Sequence, residues 1–150
     1  MTRTRPASRR RSREVALQVL YAIDIARREG TSRDDAFEAA AAHFELPEGA
    51  RAFAKELLCG VAAHREALDS ALAEHARNWR LDRMAVVDRN VLRLASFEIL
   101  FTGTPAEVAI DEAVALAGRF GSEASPGFVN GVLDGLARAR AVTAEGVEGQ

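Results

Sequence analysis

Apolar residues recur at helical intervals along almost the whole chain, and no stretch alternates as a half-buried strand would. Ala16, Val19, Leu20 and Ile23 fall on one face of a helix expected from Arg9 or Arg10 to about Arg28. Leu17, Tyr21 and Ile25 widen that face, which implies burial against more than one partner helix. Gly30 ends it. Thr31 and Ser32 are placed to cap a second helix, from about Arg33 to Phe44, and Asp34 and Asp35 suit its positive end. Pro47 and Glu48 open a long third helix. Its stripe of Phe53, Leu57, Val61, Leu68 and Leu72 fades near Arg77.

A fourth helix follows Asp82, which is placed to cap it, with Val87, Val91, Leu94, Ala95 and Ile99 facing the core. Gly103 stops this helix. Thr104-Pro105-Ala106-Glu107 has capping-box spacing with proline in the first turn, and predicts a fifth helix ending at Phe120-Gly121. Ser125-Pro126 begins a sixth that continues to about Arg140. The expected fold class is therefore all-α, with two packed three-helix-type subdomains over about residues 9–77 and 82–140, divided at Asn78–Asp82. Residues 1–8 read as a flexible basic tail and 141–150 as a flexible C-terminal tail.

Composition changes this picture in two ways. Apolar residues make up 48% of the 150, enough for a core, and the single cysteine, Cys59, excludes an internal disulfide framework. That cysteine usage fits a reducing cytoplasm. No apolar run approaches the length of a membrane span, and the basic start is not followed by a signal-peptide core. The second change concerns charge. Residues 1–13 hold Arg3, Arg5, Arg9, Arg10, Arg11 and Arg13 and no acid, within a chain whose net charge is −2. A cationic arm on an acidic body implies a localised anionic partner.

Arginine suits phosphate because its planar fork donates two parallel hydrogen bonds. Positive charge at a helix start is also locally unfavourable, and a bound anion offsets it. A solvated tail is the alternative. Arg89 and Arg93 lie four apart on the fourth helix and repel, so they need acidic partners or an anion, with a carboxylate on another helix favoured. Glu98, among Phe97, Ile99 and Leu100, reads as an acceptor of structural hydrogen bonds rather than a catalytic acid. His43, His64 and His75 form no close ligand pair, so no metal is expected, and Cys59 reads as a core residue. In Ser125-Pro126-Gly127-Phe128-Val129-Asn130-Gly131 the small residues leave a helix start open to an anion. Phe128 there either stacks on an unpaired base or belongs to the core. No nucleotide-binding loop and no Ser/His/Asp arrangement is present, so no enzyme and no cofactor is expected.

Taken in order, these segments resemble the NusB family of bacterial transcription antitermination factors. Ser8-Arg9-Arg10-Arg11-Ser12-Arg13-Glu14 with Ala16-Leu17-Gln18-Val19-Leu20-Tyr21 is similar to the family's opening. Trp79-Arg80-Leu81-Asp82-Arg83, Val87-Asp88-Arg89 and Val91-Leu92-Arg93-Leu94-Ala95 resemble its fourth helix. Val108-Ala109-Ile110-Asp111-Glu112-Ala113-Val114 and Phe128-Val129-Asn130-Gly131-Val132-Leu133 resemble its C-terminal motifs. The resemblance implies binding of boxA RNA together with NusE, a small-subunit ribosomal protein. It also implies a complex with other Nus factors and RNA polymerase that sustains transcription of ribosomal RNA operons.

Carried over by position, the resemblance implies RNA contact by Arg9, Arg10, Arg11, Arg13, Tyr21 and Phe128, and NusE contact by Asp88, Val91 and Leu92. The chain departs from the family at Gly118, where lysine is usual, and at Ala124, where some members carry an acid; Asp111 for asparagine is milder. Two other readings stay open. One is a NusB-like module related to ribosomal RNA cytosine methyltransferases, for which a chain ending at Gln150 leaves no room for the α/β domain. The other is a purely structural helical scaffold or homodimer.

Overall fold

The computed structural model describes residues 6–30, 32, 35, 48–76 and 80–148, with side chains over most of the span from Arg9 to Ala141. Among these residues the secondary structure is helical throughout and contains no strand, as the periodicity predicts. Six α-helices are described: α1 (Pro6–Arg28), α2 (Glu48–Ala63), α3 (Arg65–His75), α4 (Val86–Phe97), α5 (Ala106–Phe120) and α6 (Ser125–Glu148). The chain forms two compact units, Met1–Ala63 and His64–Gln150.

In the first unit α1 packs on α2. Ala16, Leu17, Val19, Leu20 and Ile23 are buried on α1, and Ala50, Phe53, Ala54, Leu57, Leu58 and Val61 on α2. Ser12, fully buried, donates its hydroxyl to the Ala50 carbonyl at 2.7 Å, so a polar contact fixes the register of the two helices where α2 begins. Gly30 adopts φ +92°, a left-handed conformation that suits glycine and terminates α1. The Asp35 N–H donates to the Ser32 hydroxyl at 3.3 Å, the bond expected of a capping serine. The rest of the expected second helix lies outside the described residues.

In the second unit α4 packs against α3, α5 and α6, and α5 packs on α6. Val91, Leu92, Leu94, Ala95, Ile99, Leu116, Ala117, Val129, Val132, Leu133 and Leu136 are buried there. Arg93 is only 4% exposed and grips Asp69 of α3 with two hydrogen bonds, Nε to Oδ1 at 2.8 Å and Nη2 to Oδ2 at 3.1 Å. Its Nη1 donates to Asn90 Oδ1 at 3.2 Å. The Arg89 Nη1 donates to the Leu81 carbonyl at 3.1 Å. Carboxylate and carbonyl partners on neighbouring segments thus hold both arginines.

Several boundaries differ from the expectation, each for a local reason. The predicted long third helix is two helices. His64 leaves helical geometry (φ −112°, ψ 17°), and its ring stacks on Phe101 at 3.9 Å and 14°. The compact units divide there, at Ala63 and His64, rather than at residues 78–82. Asp82 does not cap the fourth helix. It lies in a 3-10 turn, Leu81–Arg83, and α4 starts after Ala85 with no side-chain cap.

Past Phe97 the chain continues as a π-helical turn, Glu98–Thr102, closed by Gly103 at φ 74° as expected. The Thr104 capping box is not formed. The Thr104 hydroxyl instead donates to the buried Glu98 carboxylate at 3.3 Å and pairs with the Thr102 hydroxyl at 2.8 Å. Glu98 is therefore an acceptor of structural hydrogen bonds, as its apolar setting implies. α6 begins at Ser125 as expected, and the Ser125 hydroxyl reaches back to accept from the Ser122 N–H at 2.9 Å. Helix also covers residues 6–8 and 141–148, where composition predicts flexible tails.

Candidate nucleic-acid interface

Charge repulsion poses the first problem at the start of α1. Its first turn carries no acid, and the run Arg9-Arg10-Arg11 adds positive charge to an end that is already partly positive. Three contacts offset this within the first unit. The Arg11 Nη1 pairs with Glu14 Oε2 at 3.1 Å, one turn on. The Arg9 guanidinium carbon lies 4.5 Å from the centre of the Phe53 ring, and that of Arg13 lies 5.3 Å from it. A guanidinium over an aromatic face is attracted by the ring's negative quadrupole. The Ser12 hydroxyl bond to Ala50 then holds the segment against α2.

The expected arginines are consequently not equivalent. Arg9, Arg10 and Arg11 are exposed, with 47% of the Arg11 side chain open to solvent. Arg13 is only 5% exposed, so its side chain lies beneath the surface at which the other three stand. Tyr21, 45% exposed, stands about 12 Å further along α1, at 1.5 Å per residue. A row of exposed guanidinium groups followed by an exposed aromatic ring offers donors for phosphate and a face for a base.

The remaining expected residues belong to the second unit. Phe128 is half-buried in the first turns of α6, while its neighbour Val129 is completely buried. Asp88 is half-buried in the first turn of α4, and its Oδ1 is buried without a hydrogen-bond partner among the described residues. Val91 and Leu92 are both 0% exposed, which corrects the expectation that they touch a partner; they anchor α4 in the core. Cys59 is exposed rather than buried, because Leu57, Leu58 and Val61 take the inward face of α2.

Gly118 and Ala124 are exposed, so the residues that depart from the family pattern lie at the surface. Sequence reasoning places Phe53 in the core and misses its contact with Arg9 and Arg13. The i, i+4 spacing of those arginines is the available signal. Among the described residues no group of three or more His, Cys, Asp or Glu side chains could hold a metal ion. No described helix is long and apolar enough to cross a membrane.

A transcription antitermination protein NusB from Anaeromyxobacter dehalogenans (strain 2CP-1 / ATCC BAA-258) is 53% identical over 130 residues, covering 86% of this chain and 89% of its own. The solved structure of T. maritima NusB superposes with a TM-score of 0.76 at 34% identity, covering 87% of this chain and 90% of its own. A crystal structure of antitermination factors NusB and NusE in complex with dsRNA contains a chain that superposes at 0.75 with 27% identity, over 90% of this chain and 99% of its own. The NusB family model matches residues 10–138. That match runs from the exposed arginines of α1 through the buried Arg93 of α4 to the Phe128 segment of α6, and the chain belongs to the NusB family.

Proposed function

We propose that this protein is an RNA-binding transcription antitermination factor that engages boxA RNA together with NusE and sustains transcription of ribosomal RNA operons. One observation carries the reading: an exposed row of arginines is held at the start of a well-packed helix, on a chain whose net charge is −2. Family membership supports it, and so does likeness to a NusB solved with NusE and dsRNA. Arg9, Arg10 and Arg11 supply phosphate contacts, with Arg13 supporting them. Tyr21 and Phe128 offer rings to unpaired bases, and Asp88 offers a carboxylate to NusE. The protein works in the cytoplasm, within a complex of other Nus factors and RNA polymerase, and as a binding factor rather than an enzyme.

The test is a titration of labelled boxA RNA and a scrambled RNA of equal length, with and without NusE. The proposal expects tighter binding to boxA, strengthened by NusE. Equal affinity for both RNAs in the presence of NusE would refute it.

A further inference from the structure

We infer that Phe53 is a positioning residue for RNA binding, an inference that rests on reading α1 as the RNA-contacting arm. Its ring holds Arg13 beneath the surface and Arg9 at the surface, so that Arg9 presents a pre-set edge of N–H donors to a phosphate. Arg9 and Arg13 are four residues apart on one helix face, where like charges repel. They also sit near the helix end whose partial charge is already positive. Without a partner, two long side chains so placed would splay into solvent. Instead their guanidinium carbons lie 4.5 and 5.3 Å from one ring centre.

Packing of the first unit, not the arginines, sets the ring's place. Phe53 is 6% exposed on α2, three residues after Ala50, whose carbonyl accepts the Ser12 hydroxyl of α1. Stacking uses the flat face of a guanidinium, while its five N–H donors point outward in the plane. Exposed, with its guanidinium carbon 4.5 Å from the ring centre, Arg9 keeps N–H donors for bidentate phosphate contact. It also has less rotamer freedom to lose on binding, and such preorganisation raises affinity.

The experiment measures boxA RNA affinity by fluorescence anisotropy in the presence of NusE. The variants are Phe53→Leu, Phe53→Met, Phe53→Tyr, Arg9→Ala and the Arg9→Ala/Phe53→Leu pair. Circular dichroism checks helicity, and Phe53→Met serves if Phe53→Leu does not fold. Leucine and methionine should weaken binding about two- to five-fold, the range of an exposed cation–π contact, and tyrosine should restore it. In the Arg9→Ala background, Phe53→Leu should add no further loss, whereas a residue that mattered only for stability would add its own.

In the wild-type protein the Arg9 side-chain protons should show an upfield ring-current shift by NMR, and absence of that shift overturns the inference. So does unchanged or tighter binding by folded Phe53→Leu or Phe53→Met. A wild-type protein that binds no RNA overturns the RNA-contacting reading itself, whereas RNA binding that ignores Phe53 overturns this inference alone.

Discussion

Asp69→Ala is predicted to be costly out of proportion to the exposure of Asp69. The Asp69 side chain is 29% exposed, but the arginine it holds, Arg93, is only 4% exposed. Removing the carboxylate leaves that guanidinium buried, with Asn90 Oδ1 still accepting one hydrogen bond at 3.2 Å. Breaking a fully buried pair by deleting one partner costs about 3–5 kcal/mol. Water reaching through the open side of Asp69 reduces this, so the expected loss is about 2–3 kcal/mol. That is a fall in Tm of roughly 5–10 °C for a chain of this size.

The control is Arg65→Ala. Arg65 meets the same carboxylate at 3.4 Å, with side chains 26% and 29% exposed, and its loss should cost less than about 0.5 kcal/mol. The double variant Asp69→Ala/Arg93→Met should recover much of the loss, because it removes the buried charge along with its partner. Urea unfolding followed by circular dichroism measures all three. If Asp69→Ala is as mild as Arg65→Ala, Arg93 does not depend on Asp69 and the reasoning fails.

Three further substitutions test the packing within each unit. A Cβ at Gly121 would lie 2.5 Å from Ser125 Oγ and 2.8 Å from the Ala117 carbonyl oxygen, so Gly121→Ala should cost about 1–3 kcal/mol in thermal unfolding, and a neutral result would disprove the close approach. Leu92→Ala should cost about 2–5 kcal/mol with no selective loss of NusE affinity in the folded fraction, because Leu92 is 0% exposed; a stable variant unable to bind NusE would restore it as a partner-facing residue. Ser12→Ala removes the donor to the Ala50 carbonyl and should lower stability by about 1 kcal/mol in urea unfolding, whereas an unchanged midpoint would mean that the bond does not pin α1 to α2.

The sequence reveals most where structure depends on neighbours along the chain. Gly30 and Gly103 mark helix ends because each needs a left-handed backbone, and period-3.6 spacing picks out the buried faces of α1, α2 and α4. It misleads where distant groups compete for a local one. Thr104 has the right spacing for a capping box, but its hydroxyl is taken by Glu98, six residues back. Histidine is no helix breaker, so the end of α2 at His64 is invisible without Phe101, whose ring lies 37 positions further on.

At the candidate site, the arginine run is legible as charge but not as geometry. Nothing in the run itself distinguishes the buried Arg13 from the exposed Arg10. For Val91 and Leu92 the two lines of inference conflict. Helical periodicity already places Val91 inward, whereas positional likeness to the family assigns both residues to a partner. Complete burial decides for the core.

The central claim is that exposed arginines on α1 contact RNA phosphates, and the salt dependence of binding tests it most directly. Affinity for boxA RNA in the presence of NusE should be measured across a range of salt concentrations for the wild type and for Arg10→Ala/Arg11→Ala. Each phosphate neutralised on single-stranded RNA contributes a slope of about −0.7 in log affinity against log salt. The account predicts a shallower slope for the double variant, by about 0.7 for each phosphate that is no longer neutralised, with helicity unchanged. An unchanged slope would contradict it.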